Sequence, residues 1–171
     1  MANHSPMVTE HNNLKSFRFG GVTLDFDREA TSALYDYRGC NMWCQCSGCT
    51  NFQEACVEYL PRNFVAVLLY FGIDPFEPEY GAVSRRGLIP HQYRRYRGEY
   101  LLAGYLREAS KTRRVQVAKG SWLWIDSYDR SGKLPVLERN YHGEKASALL
   151  VVKYSVLLPW VLTPEEESEL Y

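Results

Sequence analysis

The sequence predicts an α+β fold: a single domain with an antiparallel sheet and a helical pair inserted between its first hairpin and its main strands. Three observations carry this. Apolar residues alternate around a Gly-Gly pair near the start, two helical patterns follow on either side of Pro61, and three later segments are rich in branched and aromatic residues without helical periodicity. A chain of 171 residues, 46% of them hydrophobic, can bury one sizeable core.

Residues 1–13 read as a flexible lead-in, with neither the basic start nor the continuous apolar stretch of a secretory signal. Phe17-Arg-Phe-Gly-Gly-Val-Thr-Leu-Asp-Phe26 has the pattern of a hairpin or bulged strand. From Asp27 to Thr50 neither the strand nor the helix period persists, and the composition is that of a structured loop. Asn51–Leu60 follows as a helix. Thr50 or Asn51 can cap it, and Phe52, Ala55, Cys56 and Tyr59 share one face.

Proline is tolerated in a first helical turn, so after Pro61 a second helix is expected over Arg62–Phe71. Phe64, Val65, Leu68, Leu69 and Phe71 are its buried set and Gly72 its terminator. Ile73-Asp-Pro-Phe-Glu-Pro-Glu79 is a turn-rich exit. The main sheet is expected from Glu99–Arg107, Arg113–Ile125 and Ser147–Leu158. In the last of these Leu150, Val152, Tyr154, Val156 and Leu158 fall on one face and Lys153 and Ser155 on the other, as in a sheet wet on one side. The domain thus runs over residues 14–162, and residues 163–171 form an acidic tail.

The longest apolar run, Phe64–Ile73, is ten residues against the roughly 20 that a membrane-spanning helix needs. Lys plus Arg and Asp plus Glu number 20 each, which argues against a surface built throughout for polyanions. The charge is nevertheless uneven. Residues 80–125 hold ten basic and two acidic side chains, and the sharpest piece, Arg85–Arg97, sets five arginines among Tyr93 and Tyr96. Arginine forks with stacking rings suit single-stranded nucleic acid or a phosphorylated ligand, although no nucleic-acid recognition motif accompanies them. Arg94, Arg95 and Arg97 are the contact candidates there. Trp122 and Trp124, two apart on one strand and so on one face, are the candidate aromatic platform.

Five cysteines (Cys40, Cys44, Cys46, Cys49 and Cys56) fall within 17 residues. A secreted disulfide scaffold spreads its cysteines along the chain, and an odd number cannot pair fully, so a reducing cytoplasm is expected. Four soft thiols in residues 40–49 suit a structural zinc ion, with Cys44, Cys46 and Cys49 as ligands, Cys40 as the fourth and Cys56 as its reserve. Cys56 on the apolar helix face can equally be a small buried hydrophobe. Cys46-Ser-Gly-Cys49 can also be read as a redox dithiol ahead of a helix amino terminus, which lowers a thiolate's pKa.

These cysteines begin a set of segments, Cys44-x-Cys46-x2-Cys49-x-Asn51-Phe52, Phe71-Gly-Ile-Asp-Pro75, Tyr96-Arg-Gly-Glu-Tyr100 with Gly104, and Leu158-Pro-Trp-Val161. On them the chain resembles an uncharacterised bacterial protein family, a domain of unknown function. The resemblance implies an α+β fold and a bacterial cytoplasmic setting, and it carries no mechanism.

Signs of catalysis are sparse. His4 and His11 lie in the lead-in, and His91 and His142 have no motif around them. Asp25 and Asp27 would share a strand face and are expected to meet solvent. Gly20-Gly21 lacks the further glycine and helix start of a phosphate cradle. The reading is therefore a non-enzymatic binding or interaction protein of unknown partner, with no membrane association. Its alternatives are a thiol-dependent redox or metal-dependent enzyme with His91 as acid or base, and a binder of nucleic acid or another anionic ligand through residues 85–97.

Overall fold

The computed structural model describes residues 14–36, 46–78, 80–83, 92–107, 113–127 and 149–163. Strands β1 (Leu14–Phe19) and β2 (Val22–Asp27) form the expected hairpin. Gly20 and Gly21, with φ of 57° and 86°, make the two-residue turn whose central positions both require positive φ. Helices α2 (Ser47–Tyr59) and α3 (Arg62–Phe71) are the inserted pair. Strands β3 (Tyr80–Val83), β4 (Tyr93–Leu106), β5 (Val115–Ala118), β6 (Ser121–Ser127) and β7 (Leu149–Pro159) complete an antiparallel sheet ordered β1-β2-β4-β7-β6-β5, with β3 on β4. No helix among the described residues is long and apolar enough to cross a membrane.

The stretch after Asp27 departs from the expected loop. Residues Arg28–Asp36 form helix α1, which buries Thr31, Leu34 and Tyr35. The Asp27 carboxylate, expected in solvent, accepts the Ala30 N–H at 2.9 Å and caps the helix. This helix solves a backbone problem. One edge of β4 pairs with β3 over residues 96–99 and with β2 over 104–106, leaving a gap between them. The Tyr35 hydroxyl fills it, accepting the Leu101 N–H at 2.8 Å and donating to the Leu101 carbonyl at 2.9 Å, while the Thr31 hydroxyl accepts the Ala103 N–H at 3.1 Å.

Helices α2 and α3 lie on the other side of the sheet from the wet face read in β7. Phe52 packs edge-on against Tyr96 at 5.1 Å, Phe64 against Tyr154 at 6.0 Å, and Phe71 against Phe26 at 5.0 Å. The sheet curls around α3, which contacts β5 and β6 while its Phe71 reaches the first hairpin. The Arg113 N–H just ahead of β5 donates to Gly20 in the first turn at 2.9 Å. Gly72 ends α3 in the left-handed conformation at φ 81°, with the Ile73 N–H bonded to Leu68 and its own to Leu69.

Several details differ from the sequence reading. Helix α2 starts four residues earlier than expected, with Cys46 and not Thr50 or Asn51 at its N-cap. Tyr59 and Leu69 are exposed instead of buried. The expected strand over 113–125 is two strands, β5 and β6, turning at Gly120 with φ 74°. The strand expected from Glu99 begins at Tyr93.

Candidate functional site

Alternation along three neighbouring strands creates the site. In β7 the residues 150, 152, 154, 156 and 158 enter the core, leaving Lys153 and Ser155 on the opposite face. In β6 Ser121, Leu123 and Ile125 are buried, leaving Trp122 and Trp124 half-buried on that same face. In β4 Tyr96 and Tyr100 are core, leaving Arg95, Arg97 and Glu99 outside. The pairing then fixes neighbours. Trp122 and Arg97 stand opposite Ser155, and Trp124 and Glu99 stand opposite Lys153.

The result is a trough of about 450 Å³. Its walls are Trp122 and Trp124 on one side and Arg95, Arg97 and Glu99 on the other, with Ser155 between them. Arg114, ahead of β5, lays its guanidinium over the Trp124 ring at 4.7 Å from the ring centre, which holds it at the trough with its N–H groups available. Arg95 donates to the Ser155 hydroxyl at 3.1 Å. Lys153 pairs with Asp126 at 2.8 Å. Guanidinium forks beside indole rings suit holding an anion.

Sequence candidates Arg95, Arg97, Trp122 and Trp124 thus meet in one place. Arg94 does not join them: one residue out of phase, it lies over the Trp160 ring at 4.8 Å. Tyr96, expected as a stacking ring among the arginines, is a core residue. Burial pushes its phenol up to about 12, and its hydroxyl accepts from Asn51 at 2.7 Å. Arg85, Arg86, His4, His11, His91 and His142 lie outside the described residues. Arg114 is not among the contacts the sequence offers; the alternation of β7 does put Lys153 and Ser155 on one face, but Ser155 is buried there and not solvated.

The cysteine segment is described in part. Cys40 and Cys44 lie outside the described residues, while Cys46, Cys49 and Cys56 are not in disulfides. Cys46 is exposed at the N-cap of α2 and Cys49 is half-buried in its first turn. Cys56 is a core side chain, its thiol donating to the Gln53 carbonyl at 3.2 Å and pushed up to about 11 by burial, which suits the buried-hydrophobe reading and not a reserve metal ligand. Among the described residues no group of three or more His, Cys, Asp or Glu side chains could hold a metal ion. Asp25 is buried, not solvated. Its carboxylate accepts from Arg107 at 2.7 Å and from Ser16, and the Arg107 bond above all holds its pKa down to about 2 against the cost of burial.

The amino end of α2 is tied to the sheet by Asn51, which is fully buried. Its amide N–H groups donate to the Tyr96 hydroxyl and, at 3.0 Å, to the Pro159 carbonyl, and its oxygen accepts the Val161 N–H at 2.7 Å. The Tyr100 hydroxyl donates to the Pro75 carbonyl at 2.7 Å. Segments around Cys46–Phe52, Phe71–Pro75, Tyr96–Tyr100 and Leu158–Val161, far apart in the chain, are therefore joined by side-chain hydrogen bonds and ring contacts. Comparison of the chain with protein-family models, with curated proteins and with solved structures finds no match.

Proposed function

We propose that the protein is a non-enzymatic binding protein that holds a small anionic ligand in the trough on the wet face of its sheet. The observation that carries this reading is that Arg95, Arg97 and Arg114 line one small trough together with Ser155 and two tryptophans. Of the two anionic ligands considered from sequence, a small molecule fits better than a strand of nucleic acid. The volume of about 450 Å³ falls in the range of small-ligand pockets, whereas strand binders run cations and rings along a groove several nucleotides long.

Calorimetric titration with inorganic phosphate and pyrophosphate tests the proposal. Both should bind, more weakly as salt rises, and the double variant Arg95→Met/Arg97→Met should lose about tenfold or more in affinity while its melting temperature stays near that of the parent. Absence of binding at low salt, or binding that the double variant retains, contradicts it.

In this reading the cysteine segment is structural and zinc is its metal, with Cys44, Cys46 and Cys49 as ligands and Cys40 as the fourth. Support comes from α2, which places Cys46 at its N-cap and Cys49 in its first turn, so that two of the thiols stand at one helix end. The crowding of an odd number of cysteines into one short segment accords with a cytoplasmic setting. Metal analysis of protein purified without chelator or reductant should give about one zinc per chain. A zinc-free protein with a reversible Cys46–Cys49 disulfide would favour the redox alternative instead.

A further inference from the structure

The trough differs between its two ends. At the Lys153 end the groups are already engaged: Arg114 covers Trp124, Lys153 pairs with Asp126, and Glu99 has a partner of its own. At the Ser155 end Arg97 is exposed with no ion-pair partner among the described residues, and the half-buried Trp122 ring has neither a ring nor a cation against it among them. Trp122 and Arg97 flank Ser155 from opposite sides, so their backbones stand roughly 10 Å apart, two strand spacings.

A bare anion would use only the arginine wall, and a bare ring only the tryptophan wall. A ligand that fills this end carries both groups. On the anion side the Arg95 guanidinium meets the Ser155 hydroxyl and Arg97 lines the same trough, a donor set suited to an oxyanion with three free oxygens in a tetrahedral array. On the ring side Trp122 lines the trough with no described ring or cation against it, and a nucleobase can stack on an indole.

We infer that the ligand of the trough is a phosphate monoester bearing a planar ring, of the nucleoside monophosphate class, with its ring against Trp122 and its phosphate held by Arg95, Arg97 and the Ser155 hydroxyl. This rests on the proposed anion site, and the test separates the two. Affinities are measured by calorimetry for inorganic phosphate, adenosine, adenosine monophosphate and an oligothymidylate, with the parent protein and with Trp122→Leu, Trp122→Phe and Arg97→Met.

Adenosine monophosphate should bind about tenfold or more tighter than phosphate. Trp122→Leu should bring it down close to the phosphate level, lowering nucleotide affinity far more than phosphate affinity, Trp122→Phe should restore part of the difference, and Arg97→Met should weaken both. Equal affinity for the nucleotide and phosphate, or a nucleotide affinity indifferent to Trp122→Leu, overturns the ring assignment and leaves the anion site standing. Failure of phosphate and nucleotide alike removes both. Oligothymidylate bound far more tightly than the nucleotide, with a steep salt dependence, would overturn the monomeric ligand in favour of a strand.

Discussion

Asn51→Ala should lower the unfolding free energy by about 3 kcal/mol, measured by urea or guanidinium denaturation. The side chain is fully buried and joins α2 to four groups beyond it: the Tyr96 hydroxyl, the Pro159 carbonyl and the N–H groups of Val161 and, at 3.4 Å, Leu162. A truncated partner leaves its mates unmatched, and each such buried group costs about 1–3 kcal/mol. Val161 is exposed enough for water to replace its bond, so the tyrosine and the Pro159 carbonyl carry most of the loss.

Asn51→Asp keeps the shape but turns an acceptor toward the Pro159 carbonyl, and at neutral pH it should destabilise comparably. Burial pushes the folded pKa of the new carboxyl up from its unfolded value of about 3.9. The protonated form supplies the missing donor. The deficit against the parent should therefore shrink as pH falls through that folded pKa and grow as pH rises through it. An Asn51→Ala protein within about 0.5 kcal/mol of the parent would show that the joint is not what holds α2 to the strand ends.

Gly104→Ala should be at least as costly, about 3 kcal/mol or more, and its damage should be local. Gly104 stands opposite Phe26 in the pairing of β4 with β2, and a Cβ there would sit 2.4 Å from the Asp25 carbonyl oxygen and 2.9 Å from the Phe26 Cα. Both are backbone atoms and cannot rotate away, so the strands must part. That loosens the Asp25–Arg107 ion pair and draws Phe26 from Phe71, while β4, β7 and β6 keep their pairing. Hydrogen exchange should accelerate in β1 and β2 more than in β7. Unchanged stability, or uniform loss of protection across the sheet, would contradict the local account.

Legibility in the sequence followed the range of the interactions. The Gly-Gly hairpin, the Pro61 break, the Gly72 stop and the alternation of β7 are local signals, and each element stands close to where the residues put it. Helix α1 buries Thr31, Leu34 and Tyr35 at helical spacing, but one of the three is polar, the helix is nine residues long, and it runs into a Gly- and Cys-rich stretch that dilutes its period. The early start of α2 is a tertiary override: Ser47 and Gly48 are poor helix formers, yet both are buried.

The trough shows the same division. Phase along one strand told that Trp122 and Trp124 share a face and that Lys153 and Ser155 share the wet side. That these two pairs meet, and that Arg95 and Arg97 join them while Arg94 turns away, depends on the register between strands separated by a long stretch of chain. One residue of slip would invert every assignment. Likewise Asn51 looks like a helix cap in sequence, because its partners at 96, 159 and 161 are invisible locally.

The most direct measurement is a nuclear magnetic resonance titration of the isotopically labelled protein with adenosine monophosphate, following backbone amides and the tryptophan indole N–H groups. The account predicts shifts concentrated at residues 95–98, 153–156 and the Trp122 indole, with the Trp160 indole and the amides of α2 little affected. Shifts confined to the amino end of α2, or none anywhere at saturating ligand, would contradict it.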